Sequence, residues 1–335
     1  MSDERAAAER EQRRREREAR RTERGGDPPG SPKPPKPQKA PKPPKVKKER
    51  PPGSSGRRLG IAVGVAAIVL GVVAIAAFAY RHFNREAPPP VVIRTITVTI
   101  PEGYTRSQTA EIARSEGLRG SYERATIRSP YLNPARYGGK EAESLEGFLF
   151  PDTFELERHA EARTLVQLQL EDFKRRIKGV DMSYARSKNL TTYDVVTIAS
   201  LVEEEAQLAG ERPLVAAVIY NRLREGMPLG IDATVRFATG NYTEPLTESE
   251  LAVESPYNTR LNAGLPPGPI GSPGLASIEA AARPAKVDYL FYVVEPGSCG
   301  KHAFSSSEAE FQRDVESYNS AREAAGGNSP DSCGE

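Results

Sequence analysis

Apolar positions along the chain fall into three regimes. Residues 1–58 hold almost no large apolar side chains and cannot build a core, which predicts a disordered tail. From Leu59 to Tyr80 the run LGIAVGVAAIVLGVVAIAAFAY carries no charge over 22 residues. At about 1.5 Å rise per residue it is long enough for a hydrocarbon core of roughly 30 Å, and it predicts one transmembrane helix. Beyond a proline linker at 81–90, short runs of period 2 alternate with longer runs of helical period, which predicts an α+β fold.

Within that third regime, VVIRTITVTI at 91–100 alternates β-branched residues and ends at PEGY, a strand followed by a turn. Thr105 or Ser107 then caps a short helix, and a polar loop continues to about Glu143, giving a small βα unit over 91–144. LEGFLFPDTFEL at 145–156 reads as a strand, with Glu146, Phe148 and Phe150 on one face. Residues 145–325 are then expected to form a mainly helical α+β domain, with 326–335 as a flexible end. Its helices are expected over Ala162–Ile177, from Thr191 or Thr192 into Glu203, Glu204 and Glu205, and from Pro213 to Gly226. Asp232 is expected to cap a short helix, and another carries Leu275 and Ile278 inward. A hairpin joins 289–294 to 301–304, and Ser305 with Glu308 reads as a capping box for a last helix to about Ala325.

Charge splits the chain further. Residues 1–58 carry 19 Lys/Arg against 9 Asp/Glu, leaving 28 basic and 36 acidic residues downstream. Arg57 and Arg58, with a lysine-rich stretch behind them, precede the apolar span, whereas only Arg81, His82 and Arg85 follow it. The positive-inside bias places the tail in the cytoplasm and residues 81–335 outside. No aromatic residue is interleaved with the tail's charges, so nucleic acid is not an expected partner. Cys299, Cys333 and three scattered histidines show no metal-ligand spacing, and neither a metal nor another cofactor is expected. An oxidising compartment permits a disulfide between the two cysteines, and two free thiols fit the sequence as well.

Glu146 is the acid that most needs a reason, because it lies inside an apolar and aromatic run. Such surroundings disfavour the ionised form, raise the pKa and make a carboxyl able to hold and donate a proton near neutrality. Aromatic faces at Phe148 and Phe150 would suit sugar rings, while a Glu paired with an arginine for structure is the bland alternative. Three successive helical residues span about 200° of the circumference, so Glu203, Glu204 and Glu205 cannot all face one site, although one or two can line a cleft. Asn221, Arg222, Asp232, Tyr257, Asn258 and His302 complete the candidates for substrate contact, with exposed or structural roles as the alternative.

Several segments, in order, resemble the endolytic murein transglycosylases of the YceG-like family. They are TIPEGYTRSQTAEIA at 99–113, LEGFLFPDTFEL at 145–156, ASLVEEEA at 199–206, VIYNRLREGMPLGIDATV at 218–235, SPYNTRLNAGLPPGPIGSPG at 255–274, and AAARPAKVDYLFYV at 280–293 with HAFS at 302–305. The resemblance implies that Glu146 is the catalytic acid/base for peptidoglycan glycan strands, cut between MurNAc and GlcNAc to leave 1,6-anhydro ends. It implies a cytoplasmic-membrane anchor, a reduced LysM-like unit within 91–144, and penicillin-binding synthases or division and elongation proteins as partners. Two other readings compete: a non-catalytic peptidoglycan-binding or division scaffold, and a hydrolase pairing Glu146 with Glu203 or Glu205.

Overall fold

The computed structural model describes residues 57–84 and 94–330. The basic tail up to residue 56, most of the linker and the last five residues lie outside the described residues. The first element, α1, spans Arg57–Phe83. Its window Ala66–Phe83 has a mean hydropathy of 1.8, and none of it is buried in protein. The helix is long and apolar enough to cross a membrane, as the uncharged run predicts.

Residues Pro89–Glu335 form a second compact unit, of mixed helix and strand. Its strand β1, Thr95–Thr99, pairs antiparallel with β2, Thr153–Glu157, in a register from Thr95 opposite Glu157 to Thr99 opposite Thr153. The two strands come from either side of the boundary drawn at residues 144 and 145, and Val98, Leu145 and Phe148 belong to one hydrophobic core. Between the strands lie α2, Arg106–Ser115, and α3, Tyr122–Ala125. The loop expected to run to Glu143 thus contains a helical turn, followed by a 3-10 turn at Pro134–Tyr137 that Asn133 caps.

The helical part follows the apolar periodicity closely. Helix α4 spans Ala162–Ile177, α5 Ser183–Ser187, α6 Thr192–Glu205 and α7 Arg212–Glu225. Helix α6 starts at a capping box between Thr191 and Asp194, and α7 stops at Gly226 in the left-handed region. Every residue from Val195 to Val202 is buried, so α6 is the central element, packed against α7 and against α10, Leu275–Ala282. Full burial of each of its large aliphatic side chains contributes about 1.5–3 kcal/mol. Between α7 and α10 come α8, Asp232–Thr239, and the short α9, Glu248–Leu251. The hairpin of β3, Phe291–Val294, and β4, His302–Ser305, packs on the last helix α11, Glu308–Ala324.

Three local expectations change. Only the end of the 145–156 segment is a strand, where it enters β2 at Thr153; Glu146 and Gly147 form a turn, because Gly147 takes φ +81°, outside the extended region. Asp232 is the first residue of α8 and makes no capping bond, its carboxylate being paired with Arg260 at 2.7 Å. Ser307 caps α11 through the Glu310 N–H, while the Ser305 hydroxyl is already committed to Asp314 at 2.5 Å. Cys299, in the β3–β4 turn, is disulfide-bonded. The chain's other cysteine, Cys333, falls outside the described residues.

Candidate active site

The turn bearing Glu146 is held from below by α4. Gln169, fully buried, accepts the Tyr122 hydroxyl at 2.6 Å and donates to the Leu149 carbonyl at 3.4 Å. Phe148 meets Phe173 edge to face, with centroids 4.9 Å apart, and stacks on Tyr193. Arg176 reaches Asp152 at 2.9 Å and lies over the Phe150 ring. Both phenylalanines are buried core residues, so their faces are closed to a sugar. The loss of the predicted strand explains this: without alternation, the rings turn inward while Glu146 does not share their face.

Glu146 itself keeps partial exposure. Its carboxyl is met by the N–H of Arg106, 3.1 Å from one oxygen and 3.2 Å from the other. Arg106 is the first residue of α2, whose start is fixed by a reciprocal capping box between Thr105 and Gln108. The Arg106 guanidinium turns away to the Thr126 hydroxyl and the Glu123 carbonyl, making no ion pair with Glu146. The pKa of Glu146 is pushed up to about 7 by burial, which outweighs the opposing effects of the Arg106 N–H and charge and of the Gly147 N–H. Burial thus favours the protonated form of this carboxyl, and no guanidinium is paired with it.

Hydroxyl groups surround this acid. Burial raises Tyr193 and Tyr242 to about 12 and Tyr257 above its ordinary value, and the negative charge of Glu146 adds to the rise in each. Tyr242 lines a cleft of about 180 Å³ with Glu102, Gly103, Thr105, Gln108, Glu204 and Arg236. Glu204 is also raised to about 7, first by burial and then by the charges of Glu203 and Glu205. Its side chain is exposed and lines that cleft.

The other expected contacts are distributed differently. Tyr257 is brought to Glu146, against Phe237 at 4.8 Å. Glu203 faces Arg212 at 3.4 Å and accepts the Gly274 N–H, and Glu205 accepts the Tyr292 hydroxyl at 2.8 Å. Asn221 is buried and donates to the carbonyls of Val287 and Tyr289. Asn258, fully buried, donates to those of Leu251 and Val253. Arg222 holds the Leu290 and Leu229 carbonyls, Asp232 pairs with Arg260, and His302 pairs with Glu211 at 2.7 Å. Asn221, Asn258, Arg222, Asp232 and His302 thus organise loops and the hairpin. Sequence reasoning did not single out Tyr193 or Tyr242, and it left open which of Glu203, Glu204 and Glu205 lines a cleft. For Glu204 the signal was present in the 100° step between helix neighbours: with Glu203 and Glu205 drawn to partners on either side, the middle acid is left to the cleft.

The second unit is thus α+β, with Glu146 at a helix N-terminus and Tyr193, Tyr242 and Tyr257 around it. The chain belongs to the YceG-like family, which it matches over residues 79–317. It is 33% identical over 180 residues to the endolytic murein transglycosylase of Bacillus subtilis, covering 53% of this chain and 47% of that protein. It is 30% identical over 246 residues to the endolytic murein transglycosylase of Streptococcus pneumoniae, covering 65% and 44%. The chain thus spans less than half the length of these curated relatives. A crystal structure of a YceG-like protein from Listeria monocytogenes superposes with a TM-score of 0.57 at 30% identity, over 65% of this chain and 75% of that one.

Proposed function

We propose that this chain is a membrane-anchored endolytic murein transglycosylase in which Glu146 is the single acid/base. The observation that carries the reading is a half-buried carboxyl held by the Arg106 N–H without an ion-pair partner, next to a segment whose residues Gly103, Tyr104 and Thr105 line a polar cleft. Glu146 gives its proton to the oxygen linking C1 of MurNAc to GlcNAc, and that bond breaks. The C6 hydroxyl of the same MurNAc then bonds to C1 and returns its proton to Glu146, closing a 1,6-anhydro ring and consuming no water. A near-neutral pKa suits a group that must first donate and then accept. Ordinary glycosidases need a second carboxylate to handle water or to attack C1. An internal hydroxyl removes that need, and Glu203 and Glu205 are already engaged by Arg212 and Tyr292.

The apolar helix α1 supports a single-pass anchor, and the charge asymmetry around it supports a cytoplasmic tail with the catalytic unit outside. A disulfide-bonded Cys299 agrees with an oxidising compartment. By family resemblance, the enzyme ends the growth of nascent strands beside penicillin-binding synthases. Mass spectrometry of peptidoglycan digested by the full chain tests the activity: anhydro-MurNAc ends are expected. Reducing MurNAc ends would instead make it a hydrolase, and unchanged strands would make it a binding protein.

A further inference from the structure

We propose that a pocket beside the Glu146 turn binds carboxylates of the peptide carried by a peptidoglycan strand, through Arg128, Lys140 and three neutral donors. This inference deepens the transglycosylase reading and rests on it for the choice of polymer.

The pocket holds about 390 Å³, within the range of small-ligand sites, and its walls include Arg128, Ser129, Asn133, Lys140, Ser144 and Leu145. It stops one residue short of Glu146. The Ser144 hydroxyl accepts the Glu146 N–H at 3.3 Å, and the Leu145 N–H donates to the Thr126 carbonyl at 2.9 Å. The Thr126 hydroxyl in turn accepts the guanidinium of Arg106, whose backbone N–H meets the Glu146 carboxyl. One chain of hydrogen bonds therefore fixes both the acid and this wall of the pocket.

The lining selects an anion. No Asp or Glu stands among the walls. Ser129, Asn133 and Ser144 each accept a backbone N–H on the side-chain oxygen, from Tyr131, Ala135 and Glu146 respectively. The two hydroxyl protons and the Asn133 side-chain amide protons donate to no described residue. Arg128 and Lys140 are exposed, and neither side chain pairs with a described residue, although Glu141 and Glu143 lie in the same loop. The chain after the tail carries 36 acids against 28 basic residues, so a pocket with two uncommitted cations, three uncommitted donor groups and no acid runs against the local charge.

A carboxylate, which only accepts hydrogen bonds, complements that lining. On a peptidoglycan strand the carboxylates belong to the short peptide on the muramic sugar, the same sugar whose linkage Glu146 breaks. At about 3.3–3.6 Å per extended residue, a peptide of a few residues is long enough to run from a sugar at Glu146 to the pocket beyond Leu145.

Binding by the full chain in a neutral detergent, with Glu146→Gln to prevent turnover, tests this directly. The probes are uncrosslinked strands that carry their peptides, and the same strands with the peptide carboxylates converted to methylamides. Free carboxylates should tighten binding about tenfold at low salt, a gain that fades at high salt because exposed charges are screened. Arg128→Gln combined with Lys140→Gln should bind both strands alike with an unchanged melting temperature, since neither side chain has a partner to lose. Arg163→Gln combined with Lys178→Gln, which removes two exposed charges that do not line the pocket, should keep the preference. Equal binding of the two strands before any pocket substitution, a preference that survives loss of Arg128 and Lys140, or one lost equally in the control pair would overturn the assignment. Separately, wild-type protein that releases no anhydro ends from peptidoglycan would overturn the transglycosylase reading and leave the binding result standing.

Discussion

The backbone N–H of Arg106 faces both carboxyl oxygens of Glu146, at 3.1 and 3.2 Å. A helix N-terminus stabilises an anion, and burial destabilises one. Here burial wins, so the helix start orients the acid without fixing its charge. The nearby guanidinium would have tipped the balance the other way, but Thr126 and the Glu123 carbonyl take it up.

Replacing Glu146 by Gln keeps the size and the Arg106 contact but removes the proton shuttle. Strand cleavage, measured as anhydro-muropeptide release, should fall by roughly 10² to 10⁴. The melting temperature at pH 8 should hold or rise, because the amide carries no charge to desolvate. A less stable variant that still cuts would return Glu146 to a structural role.

Stability should depend on pH in a definite direction. Glu146 and Glu204 bind a proton more tightly in the folded protein, near 7, than at their ordinary value of 4.5. Between about pH 4.5 and 7 the folded state therefore holds more protons, and stability should decline as pH rises through that window and level off above it. Thermal melts of wild type and Glu146→Gln across the window check the contribution of Glu146, which predicts a shallower decline in the variant. Cleavage should also fade above pH 7 as the acid loses its proton.

Gly147 is needed twice. Its φ of +81° is strained for any side chain, and a Cβ there would overlap the Pro269 ring. Gly147→Ala should cost about 1–3 kcal/mol in denaturant melts and reduce cleavage beyond the loss of folded protein, since the turn carries Glu146. Normal specific activity in the folded fraction would show that the turn has slack.

How much of this was legible beforehand depends on the range of the interactions. Helices such as Ala162–Ile177 and the stop at Gly226 are written in local periodicity and local caps, and the structure keeps them. Glu146 was visible as a candidate, an acid in an apolar run. Its geometry was not, because a single left-handed glycine replaces strand alternation and sends Phe148 into the core. Asn221, Arg222 and Asn258 are polar residues whose partners are carbonyls in distant loops, which no local pattern announces. Tyr242 comes near Glu146 only through tertiary packing.

The disulfide should matter for stability and not for turnover. Cys299 sits in the hairpin turn, where the Gly297 N–H also holds the Pro330 carbonyl, and neither belongs to the cleft. Cys299→Ser should lower stability by no more than about 2–4 kcal/mol while leaving anhydro-end release by the folded protein unchanged. Lost activity at full folding would place this end of the chain in the mechanism.

Protease added to intact spheroplasts should digest the unit after α1 and spare the tail. Protection of that unit would reverse the topology drawn from the charges at Arg57 and Arg58.

The Gly103 N–H donates to the Ser272 carbonyl, and the Ser272 N–H donates to the Tyr104 carbonyl. This two-way clasp joins the start of the folded unit to a loop some 170 residues later, immediately before the segment that caps and orients Glu146. The acid's own motif is consequently not portable. A fragment trimmed to begin at residue 145, however faithfully it kept LEGFLFPDTFEL, would lack both the N–H that aims the carboxyl and the clasp that anchors that N–H. The smallest piece able to carry the chemistry must begin ahead of β1.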